Sequence, residues 1–153
     1  MNFRNEERMR RQLLKDSEKM EIHLINMGKG TFDLLLDAKT PRIIELKMAG
    51  HSFQINVGDS YGFEFDKRKT RELRKMQNKD LIPFVIACDR EIEDEKRFYF
   101  ITAERLEKAM HAANRDDFEK IIFNRVERDH LFKKKERLTW ELILKRLREL
   151  ASY

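Results

Sequence analysis

Three charged residues interrupt an apolar stretch of the chain. Asp33, Glu45 and Lys47 lie in GTFDLLLDAKTPRIIELKMAG, residues 30–50. A charge buried among apolar side chains costs several kcal/mol unless an opposite charge or a hydrogen bond compensates it. We therefore expect either that these charges lie at strand ends in contact with water or that they share a bound partner.

The alternation of side chains along a β-strand determines which of these charges share a face. In RIIELKM, residues 42–48, Glu45 and Lys47 point to one side, and the other side is apolar. If this strand pairs with TFDLLLDA, residues 31–38, Asp33 and Glu45 can point the same way. Two neighbouring carboxylates repel each other unless a cation lies between them. A hard divalent cation with oxygen ligands would satisfy both.

These residue types are suited to the hydrolysis of a phosphodiester. Asp33 and Glu45 are candidate ligands of Mg²⁺, and the backbone carbonyl of Leu46 is a further one. A bound magnesium ion acidifies a water molecule and acts as a Lewis acid. Lys47 would either orient or deprotonate the attacking water, or neutralise the negative charge that develops. The sequence leaves these two roles open.

The arrangement of Asp33, eleven intervening residues and then Glu45-Leu46-Lys47 resembles the PD-(D/E)xK nuclease superfamily. It is closest in shape to the archaeal Holliday junction resolvases. The resemblance implies a restriction-endonuclease-like α/β core, Mg²⁺ or Mn²⁺ as cofactor, no organic cofactor, and a first helix with a metal-associated glutamate. We assign that role to Glu6, which shares a helix face with apolar residues, and keep Glu7 as the alternative.

The hydrophobic pattern predicts the elements that would position these residues. It predicts an amphipathic helix over residues 3–20 and strands over residues 21–26, 31–38 and 42–49. Residues 51–65 are predicted to be a loop or a partial strand. A polar helix then covers 66–80. Strands at 81–89 and 97–101 follow, and a helix runs from 102 to about 113. From residue 116 onward we expect helix only. The prediction is a central mixed sheet flanked by helices, with a nuclease core over 1–114 and a C-terminal helical extension over 115–153, packed on the core or used for dimerisation.

The helix at 66–80 is the candidate nucleic-acid-binding element, because phosphate contacts use clustered lysine and arginine. A solvated helix face is the alternative interpretation. The residues proposed to contact nucleic acid are Lys67, Arg68, Lys69, Arg71, Arg74 and Lys75.

Amino-acid composition and charge indicate which kind of partner and which cellular compartment suit this protein. The net charge of +5 and the pI of about 9.3 are compatible with a polyanionic partner such as DNA. The single cysteine, Cys88, excludes an intrachain disulfide, and the charged N-terminal residues do not form a secretion signal, so we expect a cytoplasmic protein without a membrane span. We expect a homodimeric, metal-dependent endodeoxyribonuclease, with branched or junction DNA as a candidate substrate. The alternative is a non-catalytic nucleic-acid-binding or assembly protein with the same fold.

Overall fold

A computed structural model gives the fold. The structure describes residues 1–28, 32–54, 58–62, 64–66, 71–72, 75, 82–89, 92–102, 104–105, 120–122 and 134–152.

The first helix, α1, spans Glu6–Lys19, inside the range that the sequence predicted. It begins after Asn5, whose side-chain oxygen accepts a hydrogen bond from the Arg8 N–H at 2.9 Å, the usual N-cap interaction. Its buried residues are Met9, Leu13 and Ser17, which recur every four residues and so form one face.

Eight strands lie in the described part of the chain. They are β1 (Leu24–Asn26), β2 (Leu34–Leu36), β3 (Arg42–Gln54), β4 (Gly58–Gly62), β5 (Glu64–Asp66), β6 (Ile82–Asp89), β7 (Phe98–Thr102) and β8 (Lys120–Ile122).

The main sheet is mixed and has the order β1-β2-β3-β6-β7. Strands β3 and β6 run parallel, and the other neighbouring pairs in this order are antiparallel. The distal half of β3 pairs antiparallel with β4, and β5 pairs with β8 in a separate two-stranded sheet. The predicted α/β class and mixed sheet are confirmed, and β2 and β3 pair as antiparallel neighbours in sequence.

The hydrophobic core lies on one face of the main sheet. Alternate residues of β2, β3 and β6 point to this face, together with Phe98, and α1 packs against them. The opposite face of the central strands is also buried, because Ile43, Val85, Ala87 and Ile101 have little or no exposed surface. Both faces are therefore shielded from water, as is usual for parallel strands at the centre of a sheet.

A helix near the C-terminal end, labelled α2, spans Trp140–Ala151 and belongs to the same core. Thr139 caps it, because its hydroxyl accepts a hydrogen bond from the Leu142 N–H at 3.2 Å. The indole ring of Trp140 lies 4.9 Å from the ring of Phe3, and its N–H donates to Asp16 Oδ2 at 2.7 Å. These contacts connect α2 to α1 and to the residues before it. The predicted division of the chain at residue 114 stays a prediction.

Three predictions about elements need correction. The region after residue 116 is not helix only, because Lys120–Ile122 form β8 and Lys134–Glu136 form a short 3₁₀ helix. The segment 51–65 contains the end of β3, then β4, then most of β5, so it is largely extended. The basic helix does not begin at residue 66, since Asp66 ends β5. None of the helices in the described ranges has the length and hydropathy needed to cross a bilayer.

Candidate functional site

Three of the predicted site residues, Glu6, Asp33 and Lys47, meet at the edge of β3 beyond the end of β2. The register of these antiparallel strands ends at the pair Leu34 and Ile44. Beyond it, Asp33 Oδ2 accepts a hydrogen bond from the backbone N–H of Leu46 at 2.9 Å. The backbone N–H of Met48, two residues further along β3, acts on the carboxyl of Glu6 from α1 and lowers its pKa. The carboxylate of Asp33 thus continues the hydrogen bonding of the edge where the neighbouring strand stops, and the carboxyl of Glu6 lies near the next N–H group of that edge.

The pKa of Glu6 reflects the electrostatics of this edge. Burial raises the pKa of its carboxyl above the ordinary value of 4.5, and the negative charge of Asp33 raises it further. The positive charges of Lys47 and Arg10 and the hydrogen bond from Met48 oppose that rise. Glu6, Asp33 and Lys47 therefore interact in one place, although they come from a helix, a strand end and a neighbouring strand.

Arg10 belongs to the same group of charges, although the sequence pattern had not singled it out. Its Nη2 lies 3.5 Å from Asp33 Oδ1 and 3.1 Å from Glu7 Oε2. Its Nη1 donates to the carbonyl of Gly28 at 3.3 Å and lies 3.5 Å from the side-chain oxygen of Asn26. The side chain is only 18% exposed. One signal could have identified it, since residues four apart on a helix share a face and Arg10 follows Glu6 by four.

Glu45 lies on the face of β3 that is turned away from the core cluster. Its side chain is buried, and in the parallel register it lies beside Val85. If the register of β2 and β3 continued by one residue beyond its last pair, Asp33 would lie opposite Glu45. Lys47 shares the face of Glu45 and is half-buried beside Ala87.

The oxygen donors present are of the kind that Mg²⁺ prefers, namely carboxylates and the carbonyl of Leu46. The backbone N–H and carbonyl of one strand residue point to the same side of the strand. The carbonyl of Leu46 therefore faces the same edge as the Leu46 N–H, which donates to Asp33. Nevertheless, the described residues contain no group of three or more His, Cys, Asp or Glu side chains arranged to hold a metal. In this arrangement the Asp33 carboxylate accepts the hydrogen bond from Leu46, Asp33 lies beside the guanidinium of Arg10, and Glu6 interacts with the positive charges of Lys47 and Arg10.

A further buried carboxylate, Asp89, was not identified from the sequence. It is the last residue of β6, it is fully buried, and it pairs in register with Ala49 of β3. Alternation through Val85 and Ala87 places it on the face of Glu45. The signal available was its position at the end of an apolar strand parallel to β3.

The predicted nucleic-acid-binding helix is described only at Arg71, Glu72 and Lys75, which are helical. Arg71 is exposed, and Lys75 Nζ lies 3.4 Å from Glu72 Oε1. The other proposed contacts lie outside the described residues, namely Lys67, Arg68, Lys69 and Arg74.

Comparison of the chain with models of known protein families and with curated proteins finds no match.

Proposed function

We propose that this protein is a metal-dependent endonuclease that hydrolyses phosphodiester bonds in DNA. Asp33 and Glu45 would hold Mg²⁺, for which Mn²⁺ can substitute, together with the carbonyl of Leu46. A metal bound there would supply an acidified water and a Lewis acid for the phosphoryl oxygen.

One observation carries the proposal. A half-buried carboxylate from the first helix, Glu6, interacts with both Asp33 and Lys47 at the edge of β3. Both of these residues are distant from Glu6 along the chain, and the resemblance to the PD-(D/E)xK superfamily had singled out all three. Perturbed carboxylates grouped with a lysine are typical of catalytic sites.

The order of the elements also supports a restriction-endonuclease-like core. Helix α1 precedes β1, β2 and β3, and a helical segment at Arg71, Glu72 and Lys75 precedes β6 and β7. Apart from β4 and β5, which lie between β3 and that segment, this order agrees with the one predicted from the sequence. The parallel pairing of β3 with β6 requires a crossover between them. The restriction-endonuclease-like fold remains part of the proposal.

The chain's own residues have defined tasks in this proposal. Asp33 is held by the N–H of Leu46, so its second oxygen is directed away from that bond. Glu6 would support the metal or its waters. Lys47 lies close enough to Glu6 to affect its pKa, and in this proposal its ammonium would position a water or neutralise charge on the phosphate.

The second candidate is a nucleic-acid-binding or assembly protein that keeps the fold without catalysis. Arg10 favours it, because its guanidinium already neutralises Asp33 in the described arrangement. In that case the carboxylates would serve to satisfy the N–H groups along the edge of β3.

One experiment separates the two candidates. A four-way junction, a linear duplex and a single strand are each incubated with the protein, once with Mg²⁺ and once with EDTA. Cleavage that requires Mg²⁺ and disappears in Asp33→Ala supports the nuclease, and the preferred substrate identifies the target. Binding without cleavage under both conditions supports the second candidate. The proposed homodimer and cytoplasmic location are tested separately, by sedimentation and by fractionation.

A further inference from the structure

The surface of α1 opposite the core carries a row of cations that the proposed site does not use. Arg8, Arg11, Lys15 and Lys19 are all exposed. At 3.6 residues per turn they fall within an arc of about 80° around the helix axis. The buried face of α1 lies on the other side, so this row is separate from the edge of β3.

A pocket of about 410 Å³ lies at the beginning of this row. The residues before the helix form part of its wall, and the described lining contains three cations and two amides but no carboxylate. The lining residues are Met1, Asn2, Phe3, Arg8, Arg11, Gln12 and Lys15.

The cations of this pocket are largely uncompensated. No ion pair involves the side chain of Arg8 or Lys15 within the described part of the chain. Arg11 pairs with Glu7 at 3.2 Å, but its side chain is 76% exposed. The carboxylate of Asp16, on another side of the helix, accepts hydrogen bonds from Gln12 and Trp140.

We propose that this face of α1 binds the phosphodiester backbone of a nucleic acid, with the pocket receiving one phosphate. Guanidinium groups match phosphate oxygens in geometry and charge. From Arg8 to Lys19 the helix rises about 16 Å, which corresponds to about five phosphates along one strand of duplex DNA. The choice of ligand rests on the proposed nucleic-acid function, but the surface does not depend on catalysis.

The test measures DNA binding without cleavage. Binding of a fluorescent duplex is followed by anisotropy in EDTA over a series of salt concentrations. The wild type is compared with a triple variant, Arg8→Ala, Arg11→Ala and Lys15→Ala. Each phosphate interaction that the substitutions remove should flatten the slope of log K against log salt by about 0.9, so we expect a change of about two to three.

A charge-matched control removes three exposed cations of α2 in place of those of α1. It combines Lys145→Ala, Arg146→Ala and Arg148→Ala in one variant, which has the same net charge as the α1 variant. We expect this control to keep a salt slope close to that of the wild type. An equal change in the two variants would show an effect of net charge and overturn the proposal.

Circular dichroism checks that the variants fold. We expect them to fold, because exposed charges contribute little to stability. Arg8→Ala alone, with an expected change of about one in the slope, keeps the test decisive if the triple variant does not fold. Binding to anionic phospholipid vesicles in place of DNA would also overturn the proposal.

The failure of this inference is distinguishable from that of the proposed function. If the wild type cleaves DNA while the α1 variant keeps the wild-type salt slope, only the α1 surface is wrong. If the wild type binds no nucleic acid at all, both proposals are wrong.

Discussion

Replacing Arg10 with glutamine should have opposite effects on the stability of the metal-free protein and on ion binding. In the described arrangement, Arg10 neutralises Asp33, one of the two carboxylates proposed to hold Mg²⁺. A divalent cation at Asp33 would compete with the guanidinium for the same negative charge. Arg10→Gln should therefore destabilise the protein in EDTA and tighten its binding of Mg²⁺ or Mn²⁺.

The geometry sets the size of both effects. The contact to Asp33 joins side chains that are 18% and 16% exposed, but at 3.5 Å it is long. The contact to Glu7 is shorter, but Glu7 is 52% exposed, so solvent screens that pair. The bond to the carbonyl of Gly28 adds a modest amount. We expect the free energy of unfolding to fall by about 1 kcal/mol, which lowers the Tm by about 2–4 °C in a chain of this size.

The same free energy determines the change in ion affinity. If the ion must displace an interaction worth about 1 kcal/mol, removing that interaction should lower the Kd of the ion about fivefold. Thermal unfolding in EDTA measures the first effect, and isothermal titration with Mg²⁺ or Mn²⁺ measures the second. Neither measurement requires the protein to cleave DNA.

Arg11→Gln is the matched control, because it removes the same charge from the same helix. Arg11 is largely exposed and pairs with Glu7 rather than Asp33, so stability and ion affinity should change little. Equal effects of the Arg10 and Arg11 variants on ion affinity would refute competition at Asp33 and leave only the general effect of charge. A wild-type protein that binds no divalent ion would instead refute the metal site itself.

Three further predictions concern the carboxylates and the lysine. Asp33→Ala and Glu45→Ala should each abolish Mg²⁺-dependent cleavage, and cleavage at near wild-type rates would exclude these residues as ligands. Asp33→Ala should also lower the free energy of unfolding by about 1–3 kcal/mol, because the Leu46 N–H loses its acceptor. Lys47→Ala should slow single-turnover cleavage by about 10²-fold or more with little change in DNA affinity, whereas an equal loss of both would make it a phosphate contact. The pKa of Glu6 is raised in the folded protein, so binding of a proton to Glu6 stabilises the folded state. This stabilisation is fully present below the unfolded pKa of 4.5 and is lost as the pH rises through the raised pKa of the folded protein. In urea unfolding with EDTA, the stability of the wild type relative to Glu6→Gln should therefore fall as the pH rises through that range, and a constant difference would contradict it.

The sequence alone determined the elements whose hydrophobic pattern is local. The apolar face of α1 and the apolar face of α2, formed by Trp140, Ile143, Leu144 and Leu147, follow from residues three and four apart. Strand β6 is a short apolar run, so each of these elements can be recognised without knowing its neighbours. The alternation in β3 likewise separated the face of Glu45 and Lys47 from the apolar face before any partner strand was known.

Pairing between distant segments was not predictable in this way. Strand β8 is three residues long, and its partner β5 lies more than fifty residues earlier in the chain. A segment this short carries no periodicity that distinguishes strand from helix, so the expectation of helix after residue 116 failed there. The distal part of β3 similarly becomes a strand through its pairing with β4, against a local pattern with glycines.

The candidate site shows the same division. Sequence spacing identified Asp33, Glu45 and Lys47, and the helix face favoured Glu6. Only the tertiary structure brought Glu6 near the N–H of Met48 and Arg10 near Asp33, because both contacts depend on where α1 lies against β3 and β1. Spacing along a chain specifies which side chains share a face, whereas the packing of one element on another decides which charges meet across that face.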